Sequence, residues 1–256
     1  MKLFAIADLH LSLGTDKPMD VFGPQWRGHA DKLATSWRAK VGPDDVVLLP
    51  GDISWAMRLP EAEADFAWLR DLPGEKVIIR GNHDYWWAGV KKLREFAGPG
   101  FAFLHNTAYS RGGAAVAGSR LWTYPFIHWP HPRGANPALA GKEPVGGAAL
   151  GGGRPPVDDE KVRASELDRL RASLRALSPD AALRVCLVHF PPVSATPEAN
   201  PITALLAEYR IDLCLYGHVH GLEVAPAAAD CTIDGVRCLL VAADYLDFDL
   251  KFIKEL

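Results

Sequence analysis

The chain has 256 residues, of which 48% are hydrophobic and 23% charged, a balance that excludes a disordered or fibrous protein. Twenty-eight Lys and Arg against 31 Asp and Glu leave a formal charge of −3, so a broad basic face that coats nucleic acid is not expected. A local site for one phosphoester remains compatible with that charge.

At roughly 150 residues per domain the length suits one large domain over residues 1–256, or one domain with an insertion. The opening MKLFAIADLH carries one Lys and only five apolar residues before Asp8, too few for a signal-peptide core. No window reaches the roughly 20 apolar residues of a membrane span. The cysteines Cys186, Cys214, Cys231 and Cys238 form no Cys-x-x-Cys pair and read as buried, reduced thiols. A cytoplasmic protein is the expectation.

In chain order, short apolar runs occupy 3–7, 46–49, 77–79, 101–104, 114–117, 185–188, 211–215 and 238–242. They are short and nearly continuous in hydrophobicity, as for strands covered on both faces. Helical patterns lie between several of them. Ala30, Leu33, Ala34, Trp37 and Val41 repeat at helical spacing, and Pro60 suits the first position of a second helix with Glu61 and Glu63 in its first turn. A third helix is expected over about 158–177, striped by Leu167, Leu170, Leu174 and Leu177 and stopped by Ser178-Pro179. This alternation predicts an α/β fold. Between about 122 and 157 an aromatic segment, LWTYPFIHWPHP, leads into a stretch nearly half Gly and Pro, read as an insertion that either hangs free or forms a flap.

The chemistry-bearing residues stand directly after the apolar runs. Asp8-Leu9-His10 follows the first, Gly51-Asp52 the second, and Gly81-Asn82-His83-Asp84 the third. His189 comes after the run at 185–188, and Gly217-His218-Val219-His220 after the run at 211–215. Ligands of open α/β sheets bind at the carboxyl ends of strands, so five separate endings are expected to converge. Two aspartates, an asparagine and four histidines exceed the ligand demand of one transition metal and suit two cations sharing a carboxylate. Mixed imidazole and carboxylate donors favour manganese, iron, zinc or nickel. Glycines 51, 81 and 217 are expected to allow sharp turns there.

The ordered set D-L-H, G-D, G-N-H-D, H and G-H-V-H resembles the calcineurin-like metallophosphoesterase superfamily, with motifs from residue 8 to residue 220. The resemblance implies a four-layer α/β/β/α sandwich with a two-metal centre. It assigns Asp8, His10, Asp52 and His220 to one metal and Asp52, Asn82, His189 and His218 to the other, with Asp52 as the bridge. It also implies attack on phosphorus by a hydroxide shared between the cations. His83 is expected to stabilise the transition state or protonate the leaving oxygen. Asp84 is read as a helix cap. D-L-H-L, G-D-I-S-W and G-N-H-D depart from the protein Ser/Thr phosphatase pattern; G-N-H-D is shared with phosphodiesterase branches, and G-D-I-S-W and G-N-H-D-Y-W-W are similar to a bacterial phosphohydrolase branch.

Aromatic side chains crowd the motifs. Trp55, Tyr85, Trp122 and Tyr124 either pack under the loops or wall a substrate pocket. The expected function is a phosphodiesterase acting on a small-molecule phosphoester. The alternatives are a phosphomonoesterase, a nuclease and a silent binding scaffold. Neither a membrane nor a nucleic-acid polymer is an expected partner. Asp244 and Asp247 receive no role.

Overall fold

A computed structural model describes residues 1–129, 159–221, 224 and 226–256. The strands are β1 Lys2–Ala5, β2 Val46–Leu49, β3 Glu75–Ile78, β4 Phe101–Phe103, β5 Tyr109–Arg111, β6 Ala114–Ser119, β7 Leu183–Val188, β8 Leu213–Tyr216, β9 Asp230–Ile233, β10 Val236–Leu240 and β11 Lys251–Glu255. The helices are α1 His29–Lys40, α2 Glu63–Arg70, α3 Val90–Ala97, α4 Asp159–Arg175, α5 Pro201–Glu208 and the single turn α6 Pro226–Ala229.

Two sheets result, in the orders β11-β1-β2-β3-β4 and β5-β6-β7-β8-β10-β9. The inner strands pair in parallel, while β11, β5 and β9 add antiparallel edges. Side-chain alternation sorts the apolar residues. Leu3, Ala5, Val46, Leu48 and Val77 of the first sheet meet Val116, Val185, Leu187, Leu215 and Leu239 of the second in a core between the sheets. Phe4, Val47, Leu49 and Ile78 face the other way, onto Leu33 and Trp37 of α1 and Phe66 and Leu69 of α2. Cys186, Cys214 and Cys238 face Leu170 and Leu174 of α4 and Leu206 of α5. Helices, sheet, sheet and helices thus make the expected four layers. Each Leu or Phe so buried contributes about 2 kcal/mol.

Local differences have local causes. The segment at Pro60 starts as a 3-10 turn over Leu59–Ala62 and becomes α-helical only at Glu63. The Glu61 carboxylate accepts from the N–H groups of Met57 (3.0 Å) and Arg58 (3.2 Å) and fixes that entry. The cysteines are free; three are buried, and Cys231 on edge strand β9 is half-buried. Strand register sets Cys186, Cys214, Cys238 and Cys231 in one row across β7, β8, β10 and β9. Most of the Gly/Pro-rich insertion, residues 130–158, lies outside the described residues. Among the described residues, no helix is long and apolar enough to cross a membrane.

Candidate metal centre

The sheets touch just before the first motif. Ala7 donates to Val241 O (2.7 Å) and accepts from Ala243 N–H (3.0 Å), a parallel bridge that ties β1 to the strand end after β10. Beyond it the loops at 8–11 and 51–53 run side by side. Asp8 N donates to Gly51 O, His10 N to Asp52 O and Leu11 N to Ile53 O, each at 3.0 Å.

Asp8, His10, Asp52 and His218 all adopt left-handed backbone, with φ of 61°, 45°, 54° and 70°. Such geometry costs a non-glycine residue on the order of 1 kcal/mol and clusters at functional sites. Here it turns side chains inward at the strand ends. Gly51 has the positive φ (92°) expected of it. Gly81 and Gly217 do not; they are small because a Cβ at Gly81 would strike Asp52 and one at Gly217 would strike the Asp8 carboxylate. Close approach, rather than a turn, demands glycine at these two positions.

The seven side chains converge. One ligand atom each from Asp8, His10 and His220 lie within 4.8 Å of one another, as do those of Asp8, Asp52 and His189. His10 Nε2 faces His220 Nε2 at 3.4 Å, and His220 Nε2 faces Asp8 Oδ1 at 3.4 Å. Asp52 Oδ2 lies 3.7 Å from His10 Nε2 and 3.3 Å from His189 Nε2. Asn82 Oδ1 faces His189 Nε2 (2.6 Å) and His218 Nδ1 (2.9 Å). Asp8 and Asp52 are 0% and 1% exposed. So many buried acceptors aimed at one another fit a cation between them.

Two of the remaining ring nitrogens support this. His189 Nδ1 lies 3.0 Å from Pro50 O, and His220 Nδ1 lies 2.8 Å from Asp244 Oδ1. Metal-binding histidines commonly donate their other N–H to such oxygens, which fixes the tautomer. Asp244 Oδ2 also accepts from Gly221 N–H at 3.0 Å. Asp244 is therefore part of this site, and sequence reasoning missed it. A single aspartate two residues past an apolar run carries no spacing signature.

The electrostatics obey the geometry. Burial holds the His10 and His218 imidazoles well below the usual histidine range, leaving lone pairs free. Burial would raise Asp52, but His189 and His83 outweigh it and hold the carboxyl well below the usual range. Burial would lower His220, but Asp244 and Asp8 outweigh it and raise its pKa well above normal.

Asp84 does not cap a helix. The next helix, α3, begins after Gly89, and Asp84 is fully buried. Its carboxylate accepts from the N–H groups of Asp52 (2.9 Å), Ile53 (2.8 Å), Ser54 (3.3 Å) and Gly81 (2.7 Å) and from Trp86 Nε1 (3.0 Å).

His83 stands half-buried beside the cluster, its ring 5.7 Å from His10 and 4.4 Å from Trp55. Trp55 stacks on His10 at 5.0 Å, and Tyr85 meets His83 edge-on at 6.3 Å. Trp122 sits one ring further out. It packs on Phe190 at 5.0 Å, and Phe190 in turn lies 4.2 Å from His218. Tyr124 packs on Phe126. Phe190 is thus the ring next to the cluster on this side, a placement that the lone His189-Phe190 pair does not announce.

Comparison with known proteins agrees with this geometry. The calcineurin-like phosphoesterase family model matches residues 1–222. Among curated proteins, Gene 66 protein of Mycobacterium phage L5 is 36% identical over 80 residues, 30% of this chain and 37% of that protein. Gene 66 protein of Mycobacterium phage D29 is 38% identical over 79 residues, 30% and 38% of the two chains. The matches thus span less than two fifths of these curated relatives.

Among solved structures, a phosphopantetheinyl hydrolase from Mycobacterium tuberculosis superposes with a TM-score of 0.56 at 19% identity, covering 98% of this chain and 95% of that one. A protein of unknown function from Aquifex aeolicus gives 0.50 at 14% identity, with 98% and 95% coverage. These likenesses are of fold. With a match from the first strand through the last histidine motif, the chain belongs to the calcineurin-like phosphoesterase family.

Proposed function

We propose that the chain is a dinuclear metal-dependent phosphohydrolase that cleaves small-molecule phosphodiesters. In this reading Asp8, His10, Asp52 and His220 hold one cation and Asp52, Asn82, His189 and His218 the other. One observation carries it: Asp52 Oδ2 faces His10 Nε2 and His189 Nε2 together, the placement a shared carboxylate requires. Two cations bound there would acidify a water and neutralise charge on the phosphoryl oxygens. Manganese, iron, zinc or nickel suit the donor set.

The protein's own groups then complete the chemistry. Asp84 and Asp244 fix the ligand loops and the His220 ring before substrate arrives, so reorganisation at the moment of reaction is small. His83 protonates the leaving oxygen. The rings of Trp55, Tyr85 and Phe190 border the cluster with apolar faces that suit an organic substituent on each side of phosphorus. Trp122 and Tyr124 back that wall from further out. The compartment proposed is the cytoplasm.

Metal analysis tests the reading. Wild-type protein purified with manganese should hold two ions per chain, and Asp52→Ala, still folded by circular dichroism, should lose at least one. Two ions retained by Asp52→Ala would remove the shared-carboxylate assignment.

A further inference from the structure

Histidines that converge on one point need their rings held there. The torsion that turns an imidazole joins a tetrahedral carbon to a planar one and has broad wells, so the ring rotates unless a hydrogen bond or a wall stops it. His220 has the hydrogen bond, with Nδ1 2.8 Å from Asp244 Oδ1. His189 has one as well, with Nδ1 3.0 Å from Pro50 O. His10 differs. It is buried, and its Nδ1 has no hydrogen-bond partner among the described residues. Its Nε2 nonetheless stands 3.4 Å from His220 Nε2 and 3.7 Å from Asp52 Oδ2. Packing has to supply for His10 what a hydrogen bond supplies for the other two.

Two indoles do so. Trp55 stacks on the His10 ring at 5.0 Å with 23° between the planes. Trp26 meets the same ring edge-on, at 5.8 Å and 70°. Trp26 also meets His220 edge-on, at 5.8 Å and 65°. One indole thus packs against two imidazoles whose Nε2 atoms face each other.

The chain builds this contact locally. Gly23 and Gly28, with φ of 139° and 61°, bracket a 3-10 turn over Pro24–Trp26. Pro24 suits the first position of that turn because its φ is already fixed. The Trp26 N–H donates to Gly23 O at 3.1 Å, and Trp26 O lies 3.1 Å from His29 Nδ1. Phe248 packs on the indole at 5.1 Å and 75°. The Phe248 N–H in turn donates at 2.7 Å to the carbonyl of Ala243, the residue before Asp244. Trp26 is 3% exposed, so it offers almost no surface to a substrate.

We propose that Trp26 is a positioning residue of the candidate metal centre. Its indole sets the angle of the His10 and His220 rings and so keeps both Nε2 atoms on one point before a cation arrives. Asp244 fixes His220 by a hydrogen bond from one side, and Trp26 fixes His10 and His220 together by packing. The inference rests on the proposed ligand sets, in which His10 and His220 serve the same cation. It assigns Trp26 to that cation and not to the one proposed for Asn82, His189 and His218.

Manganese titration of metal-stripped protein against a chelator tests this. Wild type should bind two ions. Trp26→Leu, which keeps the space filled but removes the flat ring, should weaken one of the two sites about tenfold and leave the other unchanged. Trp26→Phe, which keeps an aromatic edge, should lie nearer to wild type. Trp37→Phe removes a buried indole of the same apolar layer that packs on Trp68 and Lys76, and it should bind both ions as wild type does. At saturating manganese the KM of Trp26→Leu should equal that of wild type.

Two ions bound with wild-type affinity by Trp26→Leu would overturn this inference alone and leave the dinuclear reading standing. Equal weakening of both sites, or the same loss in Trp37→Phe, would overturn it too, by making Trp26 an ordinary part of the core. A wild type that binds fewer than two ions would remove the dinuclear reading and this inference with it.

Discussion

Asp52 and Asp84 hold each other through the chain. The Asp52 N–H donates to Asp84 Oδ2 at 2.9 Å, and the N–H of His83, the residue before Asp84, donates back to Asp52 Oδ1 at 2.8 Å. This reciprocal clamp joins the second and third motifs at the carboxylate proposed to be shared between two cations. Asp84→Ala leaves several buried N–H groups without an acceptor, at about 1–3 kcal/mol for each one that water does not reach. The expected result is a loss of about 3 kcal/mol or more in urea unfolding, with turnover falling in parallel. Asp84→Asn, which keeps one acceptor oxygen, should fall between Asp84→Ala and wild type. Wild-type stability and wild-type turnover in Asp84→Ala would show that the clamp is idle.

In the proposed reading, Asp244 acts on the metal through His220. It should set the ring orientation and the basicity of Nε2 while touching no substrate. Asp244→Ala should therefore weaken metal binding about 10- to 100-fold in chelator competition. At saturating metal, kcat should recover more fully than metal affinity does. Unchanged metal affinity would make Asp244 a loop anchor through Gly221 alone.

His83 makes the opposite prediction. Its ring packs against Trp55 and His10, and it belongs to neither proposed ligand set. His83→Ala should retain both metals and lose about 10²–10⁴ in kcat. Loss of metal instead of rate would make it a ligand, and an unchanged rate would remove it from the chemistry.

The strands that carry the motifs are legible because each is an apolar run covered on both faces. The antiparallel edge strands are not. Tyr109–Arg111, Asp230–Ile233 and Lys251–Glu255 alternate with polar residues and show no run. The convergence of Asp8, Asp52, Asn82 and the four histidines is legible from their positions at strand ends. Asp84 is visible in the sequence, but its role is not. Its donors are backbone and indole N–H groups, and those of Asp52, Ile53 and Ser54 come from a loop some thirty positions earlier in the chain. The cysteine row is hidden for a related reason: register between strands far apart in the chain creates it.

Lys76 provides a test of the fold away from the candidate metal centre. It lies on β3 with its ammonium over Trp37 and Phe101, and burial pushes its pKa down to about 8. An unfolded lysine titrates near 10.4. Between these values the unfolded chain binds more protons than the folded one, so this residue makes stability rise with pH there. Below pH 8 both states are protonated and the cost of the buried charge is constant. The stability advantage of Lys76→Met over wild type should thus be largest below pH 8 and shrink between pH 8 and pH 10. A pH-independent difference in urea midpoints would mean that Lys76 reaches solvent.

The most direct test of the proposed activity is steady-state hydrolysis of bis-p-nitrophenyl phosphate and p-nitrophenyl phosphate by one preparation, first stripped of metal and then reloaded with manganese. The expected result is no turnover in the stripped protein, restored turnover on reloading, and a higher kcat/KM for the diester. Turnover that survives metal removal would contradict the account at its centre, and a higher kcat/KM for the monoester would overturn the diester assignment.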